Sequence, residues 1–217
     1  MKSILIIGMG RTGRHLAVNF QRLGCDVLVI DSKRENIEAL ETRFTDARIG
    51  DCTNESVVKA LGVEHFDYCF VCIGEDFQSS LVVTSLLKKN GAAHVISKAN
   101  QDIQAELLLS IGADEIIYPE KDIAHNLAIR YSASNIFDYV ELTGDYSIYE
   151  IPILPEWVGK TIVDLDIRRR YGINIVAIKN GTLLNPSPTA SYAFDKDDHI
   201  MIIGKSNDVF KLTAKIK

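Results

Sequence analysis

The first 118 residues alternate six short apolar segments with longer amphipathic ones. The apolar segments are SILIIG, DVLVID, ARIGD, YCFVCIG, HVISKA and EIIYP. Several are apolar at consecutive positions, as strands are in a parallel sheet with helices on both faces. Gly24, Gly62, Gly91 and Gly112 follow the amphipathic segments, where glycine commonly ends a helix. The alternation predicts an α/β domain with a Rossmann-like, doubly wound parallel sheet.

After residue 121 the pattern changes. Residues 122–136 are predicted to form a helix that connects two domains, because their apolar side chains recur at helical spacing. Residues 137–217 predict a smaller, β-rich α+β domain with hairpin turns at Gly144-Asp145 and Asn180-Gly181. Within it, KTIVDLDIRRRYG predicts one short helix. The expected organisation is therefore 1–121, a connecting helix over 122–136, and 137–217.

Composition narrows the class of function. The chain has 217 residues and a formal net charge of -5, whereas general nucleic-acid-binding proteins are usually basic. No apolar stretch approaches the roughly 20 residues that span a bilayer. The N-terminus enters a strand pattern at once, without the apolar region of a signal peptide. These features predict a soluble, cytoplasmic protein that does not bind nucleic acid.

Two of the four cysteines, Cys69 and Cys72 in CFVC, have the spacing of a redox or zinc motif. They lie in a predicted buried strand, where side chains three positions apart point to opposite faces of the sheet. Two such thiolates cannot share one ion, and the sequence offers no second pair. The favoured interpretation is therefore that these are core cysteines.

The loop GMGRTG follows the first predicted strand and opens a helix. Gly8 would permit the tight turn, Gly10 would let a phosphate approach the backbone, and Gly13 would allow close packing of helix on strand. Asp31 ends the next strand, where its carboxylate can accept ribose hydroxyls and repel a 2′-phosphate. The pattern predicts a nucleotide site that disfavours NADP. The alternative, a tight turn without a ligand, stays open.

Asp31 does not distinguish NAD from ATP or ADP, since all contain an adenosine ribose. A dehydrogenase also needs a positioned acid or base, and the second domain offers only His199, at a predicted strand start. The sequence contains no G-x-S-x-G, no H-E-x-x-H and no P-loop lysine. Arg11 and Lys98 follow predicted strands at the edge where ligands bind and would suit a polyphosphate. Lys98 could equally be a solvated surface lysine.

Several longer motifs carry a family resemblance: GDCTNE, VCIG, SKAN, IGADEIIYPEKD, YSIYE and DLDIRRRYGINIVAIK. In this order they resemble the cytoplasmic regulatory subunits of Ktr/Trk potassium uptake systems, which join an N-terminal RCK (TrkA-N) domain to a C-terminal RCK (TrkA-C) domain. The match covers essentially the whole chain and is most similar to KtrA-like members.

The resemblance implies a non-enzymatic subunit that senses ATP against ADP. It implies homodimers that assemble into an octameric ring on the inner face of the membrane, beneath a KtrB/TrkH-like channel protein. The implied nucleotide site comprises Gly8, Gly10, Arg11, Thr12, Gly13, Asp31, Ser32, Asp51, Cys52, Ile73, Gly74 and Lys98. Among these, Asp51 and Cys52 would border the adenine, Lys98 would contact phosphate, and Arg11 would reach the γ-phosphate in the neighbouring subunit.

Two further sites follow from the resemblance. Glu120 of PEKD would coordinate a cation (Mg²⁺, Ca²⁺ or Na⁺) between the γ-phosphates, although an acid there also suits the first turn of a helix. A cyclic di-AMP site at the C-terminal dimer interface would take its phosphate contact from Arg168 and its base contact from Asn174. Its apolar lining would be Ile162, Ile175 and Pro188. The alternative for Arg168, Arg169 and Arg170 is a solvated helix face.

Two alternatives remain. The same scaffold could sense NAD(H), as TrkA-type subunits do. Arg11 would then have no γ-phosphate to contact, and Glu120 would have no cation to coordinate. The other is a small NAD-dependent oxidoreductase, which the missing acid/base residue disfavours.

Overall fold

The computed structural model describes residues 1–38, 44, 46–132 and 135–216. The chain divides into two compact units, Met1–Lys121 and Asp122–Lys217. In the part of the chain described, every helix is too short or too polar to cross a membrane.

The N-terminal unit alternates strands and helices. Its strands are β1 (Ser3–Ile7), β2 (Asp26–Asp31), β3 (Asp46–Ile49), β4 (Tyr68–Val71), β5 (Val95–Lys98) and β6 (Glu115–Ile117). Its helices are α1 (Arg11–Arg22), α2 (Arg34–Glu38), α3 (Glu55–Leu61), α4 (Phe77–Lys89) and α5 (Asp102–Ser110), with a 3₁₀ turn at Val63–His65. Helix α6 (Pro119–Ser132) begins in this unit and continues into the next.

Over the described residues the sheet has the order β3-β2-β1-β4-β5-β6, and all of its neighbouring strands are parallel. Alternate residues of β1 face two separate cores: Leu5 and Ile7 enter one, Ile4 and Ile6 the other. Burial on both faces explains the unbroken apolar runs. The predicted doubly wound Rossmann-like fold is confirmed. The strand order reverses between β1 and β4, and such a switch point opens a crevice at the carboxyl ends of the strands.

Local signals at helix ends were reliable in most places. Gly24, Gly62, Gly91 and Gly112 all have positive φ, between 64° and 113°, the region that glycine enters without a steric cost. The amphipathic segment KRENIEALETRF between β2 and β3 begins as α2, but its residues 39–43 lie outside the described residues.

The C-terminal unit contains one antiparallel sheet. Its strands are β7 (Asp138–Glu141), β8 (Tyr146–Pro152), β9 (Asn174–Asn180), β10 (Leu183–Asn185) and β11 (Asp198–Lys205). Its helices are α7 (Ile162–Leu165), α8 (Ile167–Tyr171) and α9 (Ser206–Thr213), with a 3₁₀ turn at Pro155–Trp157. The sheet order is β10-β9-β11-β8-β7 over the described residues, and a core around Tyr149, Ile151 and Trp157 covers one of its faces.

The predicted single helix over KTIVDLDIRRRYG is wrong. Asp166 has φ +44° and separates α7 from α8. Asp is among the few residues that tolerate this left-handed conformation, so the break carries no glycine or proline signal. Helix α6 starts three residues before the predicted connecting helix over 122–136, and residues 133 and 134 of that prediction lie outside the described residues.

Candidate functional site

A cavity of about 550 Å³ lies at the carboxyl edge of the N-terminal sheet. Most of the predicted nucleotide-site residues line it. They are Gly8, Gly10, Arg11, Thr12, Asp31, Ser32, Asp51, Cys52, Ile73, Gly74 and Lys98, with Glu120 of the predicted cation site. Because parallel strands all end at one edge, loops that are far apart in sequence converge there.

The glycine loop connects β1 to α1. Gly8 has φ +95°, and its N–H donates to the Ile30 carbonyl at 2.9 Å. Gly13 does not line the cavity; a Cβ at this position would overlap the Gly8 carbonyl oxygen, so only glycine lets α1 pack this closely. A Cβ at Gly10 would meet no atom within 4 Å. The backbone at Gly10 therefore faces open space.

Helix α1 begins at this open space. Its N-cap is Gly10, which provides no side-chain cap, and its first turn contains no acidic residue. The first N–H groups of a helix lack partners within the helix, and the helix dipole places partial positive charge there. The loop and the helix start thus offer the usual backbone setting for a phosphate.

Asp31 ends β2 and is 8% exposed. Its Oδ2 accepts the Met9 N–H at 2.6 Å, and its Oδ1 accepts the Lys33 N–H at 2.7 Å. Asn36 Nδ2 also donates to Oδ2, at 3.1 Å. The carboxylate is therefore held in place by the glycine loop and by the turn into α2.

Lys98 ends β5, and its side chain is only 10% exposed. Its Nζ lies 2.8 Å from Glu120 Oε1, so the alternative of a solvated Lys98 is wrong. The hydrogen bond from Lys98 lowers the pKa of the Glu120 carboxyl below its ordinary value. Glu120 also lies in the first turn of α6, next to Pro119, so its position agrees with the helix-start interpretation as well as with a cation site.

The cavity carries both signs of charge. Among the described lining residues, three are basic: Arg11, Lys33 and Lys98. Six are acidic: Asp31, Glu35, Asp51, Glu75, Asp76 and Glu120. A polyphosphate in this setting depends on the helix start and the three basic residues, and an additional cation would favour it.

The cysteines are core residues. Cys69 and Cys72 enter opposite cores of the sheet, as predicted from their spacing, and all four cysteines are free. Burial raises the pKa of Cys52 and of Cys72 to about 12, so both remain thiols at neutral pH. Among the described residues, no group of three His, Cys, Asp or Glu side chains could hold a metal ion.

The predicted cyclic di-AMP residues lie in the C-terminal unit, and none of them is among the described residues that line the cavity. Arg168 on α8 and Asn174 at the start of β9 are exposed. Ile162 and Ile175 pack partly against the core, and Pro188 is half-buried in the loop after β10. In the same unit, His199 at the second position of β11 approaches Glu150 with its Nδ1, at 3.0 Å from Oε1.

Sequence reasoning missed several polar residues that line the cavity, two of which, Asn36 and Asn100, bond to other lining residues. Asn100 lines it and donates from Nδ2 to the Gly74 carbonyl at 2.8 Å. Asn36 lines it beside Asp31, and Arg14, one turn into α1, bonds to Asn36. For Asn36 the only signal in the sequence was its position, about one helical turn after Asp31 at the end of β2. A polar residue at that position is too common to predict a site.

Residues 4–119 match the TrkA-N domain and residues 147–217 match the TrkA-C domain. The chain is 36% identical over 215 residues to Ktr system potassium uptake protein C of Bacillus subtilis, covering 99% of this chain and 97% of that one. It is 34% identical over 208 residues to Ktr system potassium uptake protein A of the same organism, covering 96% and 94%.

Solved structures agree on the fold. The GsuK RCK domain superposes with a TM-score of 0.68 at 18% identity, covering 100% of this chain and 48% of that one. The GsuK channel bound to NAD superposes with a TM-score of 0.69 at 20% identity, covering 100% and 39%.

Proposed function

This chain belongs to the family of Ktr potassium uptake proteins built from a TrkA-N and a TrkA-C domain, and we propose that it is a regulatory subunit that senses ATP against ADP. It controls a potassium channel and catalyses no reaction. The observation that carries the proposal is the cavity, where the glycine loop, Asp31 and Lys98 converge in one unit.

Each part of the cavity suits one part of an adenine nucleotide. The start of α1 at Gly10 and Arg11 receives phosphates. Asp31 accepts a ribose hydroxyl at Oδ1, because this oxygen takes one described hydrogen bond and has acceptor capacity for another, whereas Oδ2 already takes two. In this proposal Asp51 and Cys52 border the adenine, and Thr12, Ser32, Ile73 and Gly74 also line the cavity.

Lys98 provides a link from the phosphates to α6. In the structure its ammonium pairs with Glu120, the second residue of that helix. A polyphosphate competes with Glu120 for Lys98 and leaves the carboxylate available for a cation. A switch requires contacts that differ between ligands, and the γ-phosphate supplies that difference.

The cation site is incomplete in one chain, since Glu120 supplies a single carboxylate. Mg²⁺ typically takes one or two carboxylates together with phosphate oxygens, and Ca²⁺ takes six to eight oxygens. Glu120 therefore fits as one ligand of a Mg²⁺, Ca²⁺ or Na⁺ ion that lies between the γ-phosphates of two subunits. Arg11, exposed at the helix start, would reach the nucleotide of the neighbouring subunit.

The assembly we propose is a homodimer that builds an octameric ring on a KtrB/TrkH-like channel protein at the cytoplasmic side of the membrane. The near-complete coverage of the Bacillus Ktr proteins supports this place in a potassium uptake system. Exposed apolar side chains on α5 and α6 support contacts between subunits. They include Ile103, Leu107, Ile123 and Leu127.

Cyclic di-AMP is proposed as an inhibitory ligand of the C-terminal unit, with Arg168 at its phosphate, Asn174 at its base, and Ile162, Ile175 and Pro188 along the apolar side. The exposure of Arg168 and Asn174 supports this role. Calorimetry on the full chain should give heat with cyclic di-AMP and a weaker response for Arg168→Ala. Absence of heat at high micromolar ligand would contradict the proposal.

The nucleotide proposal is tested by thermal unfolding with ATP, ADP, NAD or NADH, each with and without Mg²⁺ or Ca²⁺. Ligand that binds only the folded protein raises the midpoint, so ATP and ADP should raise it, and a divalent cation should increase the effect of ATP. A strong rise with NADH and none with ATP would favour an NAD(H) sensor. Arg11→Ala should weaken ATP more than ADP; equal losses would contradict the γ-phosphate role.

A further inference from the structure

Two side chains outside the roles assigned above, Arg14 and Asn36, join the glycine loop to Asp31. Arg14 Nε donates to the Met9 carbonyl at 2.7 Å, and its Nη2 donates to Asn36 Oδ1 at 2.9 Å. Asn36 Nδ2 donates to Asp31 Oδ2 at 3.1 Å, and the Met9 N–H donates to the same oxygen at 2.6 Å. These four hydrogen bonds form a closed ring through α1, the loop, β2 and α2.

The chemistry of the ring determines how the Asn36 amide is oriented. A guanidinium can only donate hydrogen bonds, so the amide oxygen must face Arg14. The amide NH₂ then faces the Asp31 carboxylate, which can only accept when ionised. Without Arg14, the Asn36 side chain would keep only one of the two partners that hold this orientation, and it could turn away from the carboxylate.

The residues of this ring are partly or fully shielded from solvent, so their hydrogen bonds are important for the charge on Asp31. Asp31 is 8% exposed, and Arg14 and Asn36 are both half-buried. A buried charge is costly unless it is hydrogen-bonded, and charge-assisted hydrogen bonds are stronger than neutral ones. Asp31 Oδ1 takes one hydrogen bond in the described structure, from Lys33 N–H, so this oxygen keeps capacity for a ligand hydroxyl.

We infer that Arg14 and Asn36 are positioning residues that orient the Asp31 carboxylate before ligand binds, and so set the preference for nucleotides with free ribose hydroxyls. This inference rests on the nucleotide proposal above. Asn36 acts directly on Asp31. Arg14, which is not among the residues that line the cavity in the described structure, acts through Asn36.

Calorimetric titration of the full-length protein tests this with three probes: ATP, 2′,3′-dideoxy-ATP and inorganic tripolyphosphate. The variants are Asn36→Ala, Arg14→Met and the double variant. The control is Asn19→Ala, because Asn19 is exposed on α1 and its side chain bonds only to the His15 carbonyl in the described structure. The melting midpoint of each variant checks its folding.

Wild type should bind ATP more tightly than dideoxy-ATP. Asn36→Ala and Arg14→Met should each weaken ATP by about tenfold, the effect of one charge-assisted hydrogen bond, and bring the ATP to dideoxy-ATP ratio close to one. Tripolyphosphate affinity should change less than twofold. The double variant should lose no more than the larger single loss, since both residues act through Asp31. Arg14→Lys, which can make only part of the ring, should lie between wild type and Arg14→Met.

Equal losses for ATP and dideoxy-ATP, or fully additive losses in the double variant, would overturn the inference. If the wild type binds no adenine nucleotide, the proposed function fails first. If the wild type shows the ribose preference and the variants keep it, the proposed function stands and the positioning role is wrong.

Discussion

The two units differ in how their topology distributes polar side chains. In the N-terminal unit the strands are parallel, so the loops that follow them meet at one edge and bring Gly10, Asp31, Lys98 and Glu120 to one cavity. In the C-terminal unit the strands are antiparallel, and their ends alternate between opposite edges. A parallel sheet gathers its loops at one edge of the unit, whereas an antiparallel sheet divides its loops between two edges.

The largest expected loss of stability comes from a substitution in the N-terminal unit, Gly13→Ala, and should be confined to that unit. Gly13→Ala would place a Cβ against the Gly8 carbonyl oxygen, and overpacking against backbone should cost about 3 kcal/mol. Alanine is otherwise the better helix former, so a loss of stability isolates the clash. Circular dichroism should show a lower melting midpoint.

Fluorescence of Trp157 separates the two units in that experiment. This residue is the only tryptophan of the chain and is fully buried in the C-terminal core. Its transition should shift less than the dichroism transition. A variant as stable as wild type would show that α1 has room to move away from β1.

A smaller loss of stability is expected when Glu150, in the C-terminal unit, is replaced by glutamine. Burial, the largest single influence, raises the pKa of this carboxyl, but hydrogen bonds and charge from Lys179 and His199 together lower it below its ordinary value. Glu150→Gln should cost about 1.5 kcal/mol at pH 7, a figure reduced because Lys179 is 43% exposed.

The stability difference between wild type and Glu150→Gln should depend on pH in one direction. A depressed carboxyl pKa stabilises the folded state above the pKa of the unfolded chain, about 4.3, and the benefit is lost as the pH falls through the folded pKa. The difference between wild type and Glu150→Gln, followed by Trp157 fluorescence, should therefore shrink below about pH 4.3. The exposed Glu156→Gln serves as control, and a difference that stays constant with pH would contradict the prediction.

The smallest effect concerns a helix cap in the N-terminal unit. The Asn54 side chain accepts the Ser56 N–H at 3.0 Å at the start of α3. Asn54→Ala should cost about 1 kcal/mol, visible in dichroism melts and small in Trp157 fluorescence. The neighbouring exposed Ser56→Ala, which keeps the backbone donor, should cost less.

The sequence predicted the N-terminal fold well because its signals there are local and strong. Apolar runs located all six strands of the described sheet, and positive-φ glycines ended the helices. Asp102 is of a type that favours helix N-caps, but Gln101 is the N-cap of α5, and Asp102 is its first helical residue, paired with Lys121 at 2.8 Å. An acid favours the first turn as well as the cap, so the residue type alone does not decide.

Other features depend on tertiary structure, and the sequence could not predict them. Asp166 adopts a left-handed conformation without glycine, and it divides a helix that the periodicity predicted as continuous. Arg14 and Asn36 are 22 residues apart and meet only when α1 and α2 lie beside β2. Their types, an arginine and an asparagine on helices, are too common to indicate a site.

The most direct measurement uses Gly10→Ala and calorimetry with ATP. Its Cβ would meet no protein atom within 4 Å, so the fold should persist while the methyl group occupies the space proposed for phosphate. The matched control is Gly144→Ala, in the C-terminal hairpin turn, where a Cβ also meets nothing within 4 Å. We expect Gly10→Ala to lose ATP and ADP binding by more than tenfold and Gly144→Ala to bind as wild type; undiminished binding by Gly10→Ala would contradict a nucleotide site at the glycine loop.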